Sequence, residues 1–353
     1  MKHLKIHLLS FASLMLVFAS CSSDDDNQPA PIPADYEKGV LITNEGPFNN
    51  GTGTISYISD DFATVEHKIY QKVNGSDLGN VVQSMGFTED DAYIVVSNSQ
   101  KIVIVDRYTF IKKDSIMSGF ENPRYFASNG ETKGYITDWG DPFSDTDDFV
   151  SVIDLQTNTI SSKIPVSYGP DKLLRHGNKI YVAHPGGYDH NNLISVISGN
   201  VVEKTIVVGY VPNSMALVGD FLYVMGAGKP DYSGSETPGT ISKIDLATDQ
   251  VVEIYDFDNI TDHPLGLIAD GTQLYYNLNG KVYKVDSNSV SLPGTPIIDG
   301  FFYAMEARNG LLYATDAGDF ASRGSLLVYE LSTGQQVQDF QVGIIPGGIY
   351  FNN

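Results

Sequence analysis

Few residues in this chain have the type and spacing for bond-making chemistry. His184 and His190 flank Pro185-Gly186-Gly187-Tyr188-Asp189. Imidazoles ligate metals, but a six-residue separation on a loop matches no ordered ligand pattern, and both rings are expected to face solvent. Asp141, Asp145, Asp147 and Asp148 form an acidic loop whose oxygens suit Ca²⁺. The ordered Asp-x-Asp-x-Asp-Gly spacing is missing, so a solvated loop is expected. Asp138, His184, Asp189, His263 and Asp316 would make a metal-assisted hydrolase or lyase only if the fold brought them together. Gly-x-Ser-x-Gly, His-Glu-x-x-His and phosphate-cradling glycine loops do not occur. No catalytic residue, metal or cofactor is therefore assigned. What stands out is aromatic side chains in polar, glycine-rich segments: Phe48, Trp139, Phe143, Tyr168, Tyr188, Tyr210, Tyr232, Phe302 and Phe320. Such side chains offer large contact area and lose little rotamer entropy when they bind. Asn44, Asn98, Arg124 and Arg323 are the polar groups expected to accompany them. Trp139, the single tryptophan, is the strongest individual candidate.

The elements that would position these residues repeat. An apolar strand runs into a polar or glycine turn seven times, from Val40-Leu41-Ile42-Thr43-Asn44 to Leu312-Tyr313-Ala314-Thr315-Asp316. Tyr93, Tyr135, Tyr181, Tyr223, Tyr275 and Tyr313 follow one another at intervals of 42, 46, 42, 52 and 38 residues. That period, built from short strands, predicts an all-β, seven-bladed β-propeller with four-stranded blades. In the third repeat the strands are Pro123 to Ser128, Lys133 to Asp138, Phe149 to Asp154 and Thr159 to Val166. Each third strand ends at an acidic or polar residue: Asp60, Asp106, Asp154, Ser198, Asp245, Asp286 and Glu330. These are read as turn-capping groups. The repeat series opens on a second strand (Val40 to Thr43) and closes on an inner-strand phrase (Pro346 to Phe351). The C-terminal strand should therefore complete the first blade and leave no open junction. Loops between second and third strands share a face with the connections between blades. The aromatic residues fall mainly in those segments, and that face is the expected binding face.

The formal net charge of −21 argues against nucleic acid or an anionic membrane surface as partner. Residues 1–20 read as a signal peptide, with Lys2 and Lys5 before an apolar run from Leu8 to Ala19. Phe18-Ala19-Ser20-Cys21 resembles a bacterial lipobox, and Cys21, the only cysteine, would carry the lipid. An intrachain disulfide is impossible. Ser22-Ser23-Asp24-Asp25-Asp26 resembles the acidic export signal of Bacteroidetes surface lipoproteins. Residues 21–38, with Pro29, Pro31 and Pro33, read as an extended tether, and 39–353 as one propeller domain. The expected location is the outer membrane, with the protein lipid-anchored and exposed on the cell surface.

The turn Ile-Asp-Leu-x-Thr-x-x-x-Val and the phrases Val208-Gly209-Tyr210-Val211-Pro212 and Val342-Gly343-Ile344-Ile345-Pro346 resemble YncE-type seven-bladed propellers. Asn44-Glu45-Gly46, Asn74 to Asn80, Ser97 to Ile102 and Asn122-Pro123-Arg124-Tyr125 are, with the lipobox, similar to a group of Bacteroidetes surface lipoproteins. That group includes the cobalamin-capture propeller of the vitamin B12 uptake system. The resemblance implies a surface protein that captures a small molecule, a corrinoid being the leading candidate. It also implies a TonB-dependent outer-membrane receptor as partner, with membrane contact through the lipid anchor only. The alternatives are the metal-assisted propeller hydrolase or lyase and a scaffold that recognises another surface protein.

Overall fold

Seven four-stranded antiparallel sheets follow one another along the chain in a computed structural model that describes residues 36–48 and 51–353. They form the ring of a seven-bladed β-propeller. The leader, Cys21, the acidic tract and the prolines of the tether lie outside the described residues. In the third blade the strands are Pro123–Ser128, Lys133–Asp138, Phe149–Asp154 and Thr159–Pro165, within one residue of the sequence expectation.

Burial explains the strand pattern. Second strands such as Asp91–Val96 and Lys179–His184 are buried on both faces between neighbouring blades, so they read as continuous apolar runs. Outer strands such as Thr159–Pro165 and Val201–Val207 alternate exposed and covered residues, as half-buried strands do.

The repeated tyrosine is a clasp between blades. Tyr93, Tyr135, Tyr181 and Tyr223 are at most 1% exposed. Each sends its hydroxyl to the turn between the third and fourth strands of the next blade. Tyr93 donates to Asn158 Oδ1 at 2.7 Å, Tyr135 to the Gly199 carbonyl at 2.9 Å, Tyr181 to Asp249 Oδ1 at 2.5 Å and Tyr223 to the Ser287 carbonyl at 2.9 Å. A buried phenol needs such a partner. The period of the sequence therefore reflects one contact made repeatedly around the ring. Acidic residues at the third-strand ends cap those turns: Asp106, Asp154 and Asp245 each accept two backbone amides. Asp60 departs from this role and pairs with Arg308.

Closure is as the chain ends suggest. Pro346–Asn352 is the innermost strand of the first blade, paired with Gly39–Asn44. Asn352 is fully buried and locks the join. Its Nδ2 donates to the carbonyls of Tyr36 and Arg107, both at 2.7 Å, and its Oδ1 accepts from Arg107 Nε at 2.8 Å. The end of the expected tether belongs to the propeller: Tyr36 is 2% exposed and packs edge-on against Tyr57 and Phe110. A short helix, Ile69–Asn74, links the first two blades and buries Ile69 and Tyr70.

Candidate functional site

The site begins with an irregularity shared by the innermost strands. Where these strands start, five of the seven insert an extra residue against the second strand. Gln83 lies between the pairs Val82 with Val96 and Ser84 with Val95, and Asn213 between Pro212 with Gly226 and Ser214 with Met225. Arg124 and Tyr125 oppose Thr137, and Gly347 is the extra residue in the closing strand. In the fourth blade Asp171 and Lys172 both bond to Ala183. Bulges of this kind re-aim side chains, and proline is tolerated at a strand's first residue. Pro123, Pro212 and Pro346 occupy that place. Val81, Val211 and Ile345 enter the strands at positive φ (58°, 56° and 52°), strained for β-branched residues. Their carbonyls accept the amides of Ser97, Ala227 and Glu45, the residues that follow the second strands.

Gln83, Arg124, Tyr125, Lys172, Asn213 and Gly347 all line a central cavity of about 720 Å³ formed by the innermost strands. At its mouth is a polar network. Arg124 donates to Gln83 Oε1 at 2.7 Å and to Asp171 Oδ1 at 3.2 Å, and its guanidinium lies 4.1 Å from the centre of the Trp139 ring. Burial opposes the charge on Arg124, but Asp171, Tyr125 and Glu45 together outweigh it and hold the group protonated. The Tyr303 hydroxyl donates to Glu45 Oε1 at 3.0 Å. Burial raises the Glu45 carboxyl above its ordinary range, with Tyr303 and Arg124 opposing.

Aromatic side chains continue the network outward. The Trp139 indole donates to the Pro170 carbonyl at 2.9 Å, which sets its plane under Arg124. Tyr188 meets Trp139 edge-on at 6.1 Å, and Phe143 stacks on Tyr188 at 5.5 Å. Trp139 is half-buried, Tyr188 is 72% exposed and Phe143 88% exposed, so the ladder climbs from cavity to solvent. Beside it Tyr168 donates to the His190 carbonyl, and the His190 ring lies 6.0 Å from Tyr232. Lys229 sits over Tyr210, and Tyr303 meets Phe320 edge-on. Among the described residues, the exposed aromatic side chains are Phe48, Phe143, Tyr188, Tyr232, Phe301, Tyr303 and Phe320. Every one lies in a second-to-third-strand loop or a blade connection, on the same face.

Other residues sit elsewhere than the sequence suggested. Asn44 is fully buried, and its amide ties Thr54, Ser56 and Gly343 together at the ring closure. Phe302 is 7% exposed and packed on Tyr329, although it forms part of the cavity wall. Arg323 lies outside the cavity lining and donates to the Val342 carbonyl at 2.6 Å. Asn98 is exposed on the face and bonded to Asn80. His184 is not a surface group. It ends a second strand, is fully buried and bonds Ser195 Oγ at 2.9 Å. Burial pushes its imidazole down to about 4. Its Nδ1 lies near the Ser167 and Tyr168 backbone without a well-formed hydrogen bond.

The carboxylates and histidines weighed as a metal-assisted centre are engaged separately. Asp138 accepts the amides of Glu121, Asn122 and Gly140, His263 bonds Ala227 and Glu236, and Asp316 caps Gly318. Among the described residues no three His, Cys, Asp or Glu groups are placed to share a metal ion. The acidic loop is stitched to backbone instead: Asp141 accepts from Phe143, Asp147 from Asp141 and Asp148 from Gly169. Sequence reasoning missed Glu45, Gln83, Lys172, Tyr303 and Glu306, all in the cavity wall. None of these five follows a proline, unlike Arg124, Asn213 and Gly347, so the Pro-x phrase that opens some inner strands did not mark them.

The fold is a seven-bladed β-propeller, with its exposed aromatic side chains gathered on one face. The chain belongs to the family described as domain of unknown function DUF5074, which matches residues 38–344. No curated protein matches it. Among solved structures, a functionally unknown protein from Desulfotomaculum acetoxidans is similar at TM-score 0.64 and 13% identity, over 89% of this chain and 98% of that one. Dihydro-heme d1 dehydrogenase NirN in complex with DHE gives TM-score 0.54 at 11% identity, over 91% and 76% of the two chains. Hydrazine synthase of Kuenenia stuttgartiensis gives 0.54 at 18%, over 74% and 87%. At these identities the likeness is one of fold alone.

Proposed function

We propose that this propeller is a capture protein, held at the outer-membrane surface through a lipid on Cys21, that binds a small molecule and passes it to a TonB-dependent transporter. The observation that carries the reading is the gathering of exposed aromatic side chains on the face that surrounds the cavity mouth. Exposed aromatic patches of this kind mark interaction sites, and a concave polar centre with an apolar rim suits a ligand with both characters. Trp139, Tyr188 and Phe143 would cover its apolar surface, with Arg124 and Asn98 near its polar edge. A corrinoid, whose flat macrocycle carries peripheral amides, is the leading ligand, on the resemblance to YncE-like surface propellers and their cobalamin-capture member. Titration of the purified propeller with cyanocobalamin, followed by calorimetry, tests this. Saturable heat at micromolar ligand supports the corrinoid; no heat and no spectral change at that concentration removes it.

A further inference from the structure

Two charged groups in the cavity make no hydrogen bond or close ion pair among the described residues. Lys172 leads into the innermost strand of the fourth blade, and Glu306 lies on that of the seventh, three blades away around the ring. Among the described residues, neither side chain makes a hydrogen bond or an ion pair within 4.0 Å. The other charges of the wall are already matched: Arg124 by Asp171, Glu45 by Tyr303. Leu173, Leu265 and Met305 stand beside these charges in a wall of mixed polar and apolar character. Glu306 is exposed to the cavity yet surrounded by protein, and this enclosure pushes its carboxyl up to about 7, against the pull of Lys172.

We infer that the channel binds a short peptide with free termini, its ammonium directed to Glu306 and its carboxylate to Lys172. A net cation would meet Lys172 unfavourably and a net anion Glu306, whereas a zwitterion satisfies both. A cavity of about 720 Å³ is larger than a single amino acid needs. The innermost strands pair on one side only, so their channel-facing edges offer free backbone donors and acceptors for peptide amides. This site is separate from the aromatic rim and does not depend on a corrinoid binding there.

The test immobilises the purified protein and offers an equimolar mixture of free di- and tripeptides, the same mixture N-acetylated and the same mixture C-amidated. Retained peptides are read by mass spectrometry. Free peptides should be retained, and either cap should lower retention about tenfold, the scale of one charged hydrogen bond. Glu306→Gln and Lys172→Met should each do the same to free peptides, while Glu203→Gln, exposed on an outer strand away from cavity and rim, leaves retention unchanged. Retention should also fall as pH drops through 7 and Glu306 takes up a proton. Lys172, Glu45, Arg124, Tyr125, Tyr303 and Tyr350 are the other ionisable groups of the wall. No retention of free peptides overturns the inference. So does equal retention of capped ones or indifference to both charge variants. If one variant fails to fold, the other variant and the caps still decide. Cyanocobalamin titration of the same variants reads the rim independently.

Discussion

Asn352→Ala should loosen the whole ring, because one buried amide joins the start and the end of the propeller to the second blade. The substitution removes two donations, to Tyr36 and Arg107 carbonyls, and one acceptance from Arg107 Nε. The neutral bonds are worth about 1 kcal/mol each and the charged one about 1.5–3 kcal/mol. Partial relaxation brings the loss to roughly 3 kcal/mol, since neighbouring terms do not add. At a specific unfolding entropy of about 2.1 cal/mol/K per residue, the ring's entropy is roughly 0.65 kcal/mol/K, so the melting temperature should fall by about 5 °C. Asn352→Asp should fall at least as far at neutral pH, since its carboxylate would face two carbonyls. Asn353→Ala, at an exposed end, should stay within about 1 °C. Calorimetric melting should remain a single transition. A shift below about 1 °C for Asn352→Ala, or an unchanged melt after deletion of Gly347 to Asn353, would refute the closure argument.

Gly39→Ala should destabilise by about 1–3 kcal/mol in denaturant melts, because a Cβ there would lie 2.3 Å from Tyr57 Cε2 and 2.5 Å from the Ile58 carbonyl oxygen; a neutral result would mean the first strand has room to shift. Tyr181→Phe should cost about 1–2 kcal/mol, since Asp249 loses the hydroxyl and keeps only Lys179; a more stable variant would deny the clasp. Two buried groups make opposite pH contributions. The native state refuses a proton at His184 until about pH 4, while the unfolded chain accepts one near 6.5, so this term loses stability as pH falls through that window. Burial lets Asp148 hold its proton to about pH 6, against an ordinary value of 3.8, so its term is lost as pH rises between them. Melts of His184→Gln from pH 4 to 6.5 should be flatter than wild type on the first account. Asp148→Asn should gain stability relative to wild type above pH 6; the reverse signs would contradict these environments.

Much of the scaffold was legible because a repeated contact leaves a repeated residue. Tyr93, Tyr135, Tyr181 and Tyr223 each serve the next blade's turn, so their spacing reports blade length directly. The ring's closure was legible from which strand type stands at each end. The site was only partly so. Phe143, Tyr188 and Tyr232 sit in loops whose face follows from topology, and they are exposed there. Asn44 and His184 end second strands, where the polar residue is drawn inward to bond neighbouring strands; a strand's last residue and a loop's first look alike in sequence. The cavity wall was hidden because a single inserted residue turns Gln83 or Asn213 toward the channel, and such bulges carry no periodic signature.

Trp139 supplies the most direct test of the capture reading, because it is the only tryptophan and stands between cavity and rim. Its fluorescence should be quenched saturably by cyanocobalamin at micromolar concentration, after correction with free N-acetyltryptophanamide. The Phe143→Ala, Tyr188→Ala double variant should shift the midpoint at least about tenfold upward, the loss of two exposed aromatic contacts at about 1 kcal/mol or more each. Emission that tracks the free tryptophan control, or a midpoint indifferent to the double variant, would contradict the account.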